Sequence, residues 1–249
     1  MENKQKILSK VDKVYSMWKS GKLGGEVMPE DSNPHFDKSS RENYLYFTLP
    51  MALNYQRNSY TLWESANKTY NDQETRFVFE PEICVEKSFD EVQLALIKYK
   101  VALQKQKQTE IWLALCNTFM ELCSGDVRIL FDTLENDVDK IRHFIQKEQK
   151  NKFPYIPGNK ICNYWLYVMW QYTDREFVNI ENLSVAPDTH VIKATHRLGL
   201  ITDGELVKSD VQSIVADRWK ELFEGTKYKP IDIHTPLWLW SRNGFADIV

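Results

Sequence analysis

Tyr155-Ile156-Pro157-Gly158-Asn159-Lys160-Ile161-Cys162 opens an apolar run that continues through Tyr164, Trp165, Leu166 and Tyr167 to Met169. A polar connector leads from there to Ala186-Pro187-Asp188-Thr189-His190-Val191-Ile192-Lys193-Ala194-Thr195-His196-Arg197-Leu198-Gly199. Two helix starts are written here. Pro157-Gly158 reads as a tight turn, which puts Lys160 in the first turn of the helix that follows. Asp188 takes the N-cap position ahead of Val191, Ile192, Ala194 and Leu198, which recur at helical spacing. A lysine and an aspartate thus each stand at the mouth of a helix.

Working outward, helical periodicity dominates. Ile7, Leu8, Val11, Val14, Tyr15 and Trp18 form one stripe, and a Gly-, Pro- and Ser-rich stretch from Ser20 to Ser40 reads as loop. Asn43 to Tyr70 is expected as a helix broken at Pro50, with Asn54, Gln56, Arg57 and Asn58 as a polar knot among apolar residues. Arg76–Pro81 is compatible with a short strand or an extended loop. Further helices are expected over Phe89–Leu103, Gln108–Leu122, Val127–Leu134, Val138–Lys147 and Ser209–Phe223, before a last apolar segment from Ile231 to Phe245. Strand alternation is sustained nowhere, so the expected class is all-α.

Bulk properties agree. A chain of 249 residues is long enough for one large or two small cored units, and 9 Gly with 9 Pro leave room for few tight turns. Hydrophobic content of 43% and charged content of 27% are ordinary for a soluble globular protein. The net charge of −3 shows no polyanion-binding footprint, although a local basic patch is invisible in that number. Cys84, Cys116, Cys123 and Cys162 have neither CxxC spacing nor clustered histidines, which disfavours zinc or iron–sulfur and favours buried free thiols. The amino terminus lacks the apolar core of a signal peptide and no apolar run is long enough to span a bilayer, so an intracellular protein without a membrane partner is expected.

Each candidate residue carries an ordinary reading beside a chemical one. Lys160 is either an exposed lysine at a loop edge or an amine activated by the positive helix end and by burial, able to attack carbon. Asp188 is a helix cap, and a cap is also an ionised, immobile carboxylate of the kind a developing sugar cation needs. Tyr164, four residues past Lys160, shares its face and is either core or a stacking ring. Trp238 and Trp240 lie in an apolar run, and His190 and His196 do not share a helix face, so no metal site is assigned to them.

Ile156-Pro157-Gly158-Asn159-Lys160-Ile161-Cys162 followed by Ala186-Pro187-Asp188-Thr189-His190-Val191 resembles the helix–hairpin–helix DNA glycosylase superfamily. That family pairs a Pro-Gly hairpin, with a lysine on the next helix in lyase members, and a Val-Asp-Thr-His-Val-type segment carrying the essential aspartate. Its usual Pro-Gly-x-Gly is shortened here to Pro157-Gly158-Asn159-Lys160. His234-Thr235-Pro236-Leu237-Trp238 is similar to the carboxy-terminal helix of archaeal-type 8-oxoguanine glycosylases, with His234 where those enzymes have a base-contacting aspartate.

The resemblance implies two helical lobes with an active-site cleft between them. Residues 51–168 would form a helical barrel, residues 1–50 would pack with the carboxy-terminal lobe, and residues 169–249 would supply a connector, with an added loop at 170–184, and that lobe. It implies excision of an oxidised purine, 8-oxoguanine first, from duplex DNA by a monomer needing neither metal nor cofactor, in the cytoplasm or at the nucleoid. Lys160 and Asp188 would be catalytic, with Gln56, Tyr164, His234 and Trp238 holding the base. Arg57, Lys152, Gly158, Asn159, Lys193 and Arg197 would touch DNA. A non-catalytic nucleic-acid-binding hairpin module and a glycosidase acting on a free nucleoside or nucleotide are the alternatives.

Overall fold

The computed structural model describes residues 2–23 and 28–247. Thirteen α-helices follow one another among them: α1 Glu2–Lys19, α2 Arg41–Leu53, α3 Ser59–Asn71, α4 Pro81–Glu86, α5 Phe89–Lys98, α6 Lys105–Cys123, α7 Val127–Thr133, α8 Val138–His143, α9 Asn159–Tyr172, α10 Thr189–Leu198, α11 Asp203–Leu206, α12 Val211–Phe223 and α13 His234–Arg242. Among the described residues there is no strand, only an isolated bridge between Asp137 and Val178. The protein is all-α, as its periodicity predicts. The chain divides into two compact units: Met28–Asn179, and Met1–Val27 together with Ile180–Val249.

The first unit is built around α2. Every residue from Asn43 to Leu53 is buried, and a helix buried on all sides needs partners on all sides. It finds them in α3, α6, α7 and α9. The expected break at Pro50 does not occur, because α2 runs through it to Leu53. An interior proline costs about 3 kcal/mol. Leu45, Phe47, Leu49, Met51 and Leu53 are all sealed from solvent, and full burial of such a side chain contributes about 1.5–3 kcal/mol. Packing therefore wins, and the break falls at residues 54–58.

The same packing moves the unit's boundaries away from those expected. Residues 28–50, which include most of α2, belong to this unit rather than to the one holding the carboxy-terminal helices, and the unit extends past residue 168 to Asn179. Beyond α9, Arg175 pairs with Asp132 and donates to Asn136 Oδ1 at 2.8 Å, and Val178 bridges Asp137. Those ties hold residues 173–179 in this unit.

Two helix ends also depart from the periodicity. α5 starts on the Ser88–Glu91 capping box but stops at Lys98, since Lys100 takes a left-handed φ of 63° and turns the chain so that Val101 and Ala102 are buried. Arg76–Phe79, left open between strand and loop, is a 3-10 turn pinned by Trp112 Nε1 donating to the Val78 carbonyl at 2.8 Å. At the end of α6, Gly125 has φ 77°, and a Cβ there would meet Met120 Sδ at 3.0 Å and Arg41 Nη2 at 3.1 Å, so only glycine fits without a shift. Of the expected 20–40 loop, residues 24–27 lie outside the described residues, and Pro29–Asp31 forms a 3-10 turn.

In the second unit α10 packs on α13, α12 and α1. Gly199, at φ 82°, ends α10, and Trp219 Nε1 of α12 donates to Thr195 Oγ1 at 2.9 Å. All four cysteines are free and buried. No helix among the described residues is long and apolar enough to cross a membrane.

Candidate active site

The turn before α9 is anchored by Phe153 and Ile156, both fully buried. Its left-handed residue is Tyr155, at φ 72°, and not Gly158, whose φ of −58° any residue adopts. The Tyr155 hydroxyl donates to the Asn54 carbonyl, and its ring meets Tyr55 edge-on at 6.0 Å. Gln146 Nε2 donates to the Pro157 carbonyl and to Asn159 Oδ1, each at 3.1 Å.

Gly158 is the N-cap of α9 and offers no side-chain cap, so among the described residues the leading amides of this 14-residue helix have no intrahelical or capping side-chain acceptor. Lys160 lies in this first turn, half-buried, and makes no side-chain hydrogen bond or ion pair among the described residues. Lys152 is engaged, its ammonium 2.5 Å from Glu121 Oε1.

Residues 54–58, where α2 gives way to α3, lie against this turn through Tyr155. Gln56 is exposed at φ 47°. Arg57 is half-buried, and its guanidinium donates to the Val101 carbonyl at 2.6 Å and the Lys100 carbonyl at 3.0 Å. Burial lowers its pKa. It therefore pins one loop to another rather than projecting freely.

Buried Gln108 does the same. Its side-chain carbonyl accepts from the Leu103 and Gln104 amides at 2.6 and 2.8 Å, and its amide donates to the Leu53 carbonyl at 2.9 Å. The result is a shared surface of three loops on which Tyr55 and Leu103 stand 40% and 51% exposed. Lys100, Lys105 and Lys107 are exposed around them, the Lys107 ammonium 5.5 Å from the Tyr55 ring centre.

The Asp188 mouth is built differently. Oδ1 accepts from the amides of His190 and Val191, both at 2.9 Å, as an N-cap should. Oδ2 accepts from Trp238 Nε1 at 3.0 Å. Residues 234, 238 and 241 share a face of α13 and read the entry to α10 in order. His234 Nδ1 meets the Ala186 amide at 3.4 Å, Trp238 holds Asp188, and Ser241 Oγ lies 3.3 Å from His190 Nδ1. His190 abuts the Trp238 ring edge-on at 5.3 Å, and the Arg242 guanidinium lies 5.3 Å from it. Burial lowers the His190 pKa, which favours the neutral imidazole.

The structure thus groups Asp188, His234 and Trp238 in one unit, with Lys193 and Arg197 exposed on α10, the latter's guanidinium 5.8 Å from the Phe245 ring. It groups Lys160, Tyr164, Gly158, Asn159, Lys152, Gln56 and Arg57 in the other. Tyr164 is less free than its position on the Lys160 face predicts, because its hydroxyl is bonded to buried Glu30 and its ring stacks on Tyr167 at 5.9 Å and 15°.

The sequence reading passed over Tyr155, Leu103, Glu30 and the lysines of residues 98–107. Four lysines without an acidic neighbour in that stretch are a visible signal that the net charge conceals. Comparison with protein-family models gives no match and no curated protein matches the chain, so the glycosylase resemblance rests on the residues themselves.

Proposed function

We propose that the protein is a DNA glycosylase with associated lyase activity, excising an oxidised purine, 8-oxoguanine first, from duplex DNA. The observation that carries the reading is the Asp188 carboxylate. It sits at the positive end of α10, with one oxygen on two amides and the other on the Trp238 indole. A carboxylate held immobile by three donors is preorganised for positive charge that develops on a sugar in the transition state.

Three features support it. Lys160 has an amine without a partner among the described residues. The leading amides of α9 are uncapped and suited to a phosphate. Tyr55 and Leu103, exposed among lysines, favour a duplex over a free nucleoside, because apolar side chains that part a base step need cations beside them to hold the backbone.

In the proposed reaction the damaged nucleotide leaves the stack at a cost of roughly a few kcal/mol. The Lys160 amine attacks the anomeric carbon, the glycosidic bond breaks, and the base departs with its electron pair and takes up a proton. Asp188 stabilises the sugar cation. Ring opening gives a Schiff base, loss of a proton from the adjacent sugar carbon follows, and the 3′-phosphate is expelled by β-elimination.

The test is borohydride trapping on a panel of lesion-bearing duplexes. A covalent adduct and strand nicking on 8-oxoguanine are expected. Binding without adduct on every lesion would leave the non-catalytic hairpin module as the reading, and turnover of free nucleoside would leave the small-molecule glycosidase.

A further inference from the structure

Glu30 lies in the 3-10 turn Pro29–Asp31 and is only 1% exposed. Its Oε1 accepts the Tyr164 hydroxyl. Next to it Asp31 Oδ1 accepts the Tyr172 hydroxyl at 2.9 Å. Lys160, Tyr164, Val168 and Tyr172 form one i, i+4 row of α9, so two adjacent carboxyl groups clamp the row on which the candidate nucleophile sits. Around the clamp, Trp63 comes from α3, Tyr164, Tyr167 and Tyr172 from α9, and Tyr46 of α2 donates to the Ser32 carbonyl at 3.0 Å. Asp31 is the charged group beside Glu30.

A hydroxyl anchored this way fixes the long axis of the Tyr164 ring, and the stack on Tyr167 fixes its plane. We propose that Glu30 is a positioning residue for this site, fixing through the Tyr164 hydroxyl the ring against which the extruded base stacks. The proposal rests on the glycosylase reading for the identity of the stacked group, while the clamp itself is independent of it.

Burial raises the Glu30 carboxyl from 4.5 to about 7, with Asp31 adding to the rise and the Tyr164 hydroxyl opposing it. The folded state therefore holds a proton that the unfolded chain releases. The stability this contributes is fully present below pH 4.5 and is lost as pH rises to about 7. Above that, burial of an ionised Glu30 beside Asp31 costs stability, while the Tyr164 hydroxyl donates to a full carboxylate and the clamp holds.

The experiment compares wild type, Glu30→Gln, Glu30→Ala and Tyr164→Phe in two readouts. Single-turnover excision from an 8-oxoguanine duplex is followed as a function of pH, with enzyme in excess. Thermal melting of the free protein is followed over the same range. Glu30→Gln, whose side-chain carbonyl still accepts the Tyr164 hydroxyl, is expected to follow the wild-type rate at every pH, and Glu30→Ala to be slower on the order of 10- to 100-fold throughout. Tyr164→Phe, which keeps the ring but loses the anchor, should be slowed like Glu30→Ala.

Between pH 4.5 and about 7 the melting temperature of wild type should fall relative to that of Glu30→Gln. Parallel melting profiles for these two proteins overturn the clamp whatever the activity. A wild-type rate in both Glu30→Ala and Tyr164→Phe makes Glu30 structural only and overturns the positioning role. Absence of excision by wild type on all lesions overturns the glycosylase reading and the role given to the Tyr164 ring, while melting still decides the clamp.

Discussion

The two helix mouths that carry the candidate chemistry are finished in opposite ways. At α10 every acceptor of Asp188 is in use: two amides on one oxygen, an indole on the other. At α9 the N-cap is Gly158, no side chain closes the amides, and the Lys160 amine has no bonded partner among the described residues. The first is a completed structure that can only stabilise what is brought to it. The second keeps donors and a candidate nucleophile uncommitted, and the cost of that openness is carried by neighbours, the Gln146 brace and the left-handed Tyr155. A carboxylate doing electrostatic work gains from being locked, whereas an amine that must form a bond gains from being left free.

The largest effect should come from the open mouth. Lys160→Gln keeps length and polarity but removes the proposed nucleophile. Covalent trapping and strand nicking should fall by at least on the order of 1,000-fold, the scale seen when a covalent nucleophile is deleted. Binding of the damaged duplex and the melting temperature should hold. A trapped adduct of wild-type yield would move the nucleophile to another amine and dissolve the contrast.

The locked mouth should respond next, and in two ways. On cap preference alone Asn replaces Asp with little loss. Trp238 changes that, because an amide has one acceptor and one donor where Asp188 accepts on both oxygens, so one N–H is left facing another. Asp188→Asn should slow excision by on the order of 100- to 1,000-fold. It should also destabilise the fold by about 1–3 kcal/mol, the cost of an unpaired buried donor. Denaturant melts of Asp188→Asn against Asp188→Asn with Trp238→Phe isolate that contact: a double mutant no more stable than the single would show that the indole matters little.

What could be read from the sequence follows the range of the force responsible. Asp188 as a cap and the all-α class are local properties, set by residues within a turn or two. α2 running through Pro50 was not legible, since the helix survives only because its whole circumference is buried by α3, α6, α7 and α9. The end of α5 at Lys98 depends on burial of Val101 and Ala102, a tertiary reward invisible in a stripe of apolar residues. Pro157-Gly158 drew the eye to glycine, while the strained backbone is at Tyr155, paid for by a hydroxyl reaching Asn54 a hundred residues away. Glu30 sits in a stretch whose composition says loop, and nothing local says it is buried. Trp238 was legible as a candidate but not as the donor that fills Asp188's second oxygen.

Charge offers a third test, smaller than either mutation at a helix mouth. The α10 pair Lys193 and Arg197 and the cluster Lys100, Lys105 and Lys107 belong to different units, and each is exposed. If the cluster grips phosphates, replacing its three lysines with alanine should flatten the slope of log affinity against log salt by about 2.7, against about 1.8 for the α10 pair. Both changes should act equally on damaged and undamaged duplex. A slope unchanged by either set removes that surface from the DNA interface.

The smallest expected effect is the most discriminating for the open mouth. Gly158 has φ −58°, and a Cβ built there lies 3.7 Å from the Tyr155 carbonyl, an ordinary contact. The fold does not require glycine at this position. Gly158→Ala should therefore change stability by no more than about 1 kcal/mol, the difference between a glycine and an alanine cap. If the α9 amides approach a phosphate, the added methyl stands in the way at the helix mouth, and duplex affinity should fall about tenfold, or 1.4 kcal/mol. Excision measured with enzyme in excess should be close to wild type once the duplex is saturated, because the methyl touches neither Lys160's amine nor Asp188. The result that breaks the comparison is unchanged affinity with unchanged melting: the uncapped amides would then face solvent, and the glycine would be an accident of the turn rather than the opening through which DNA is held.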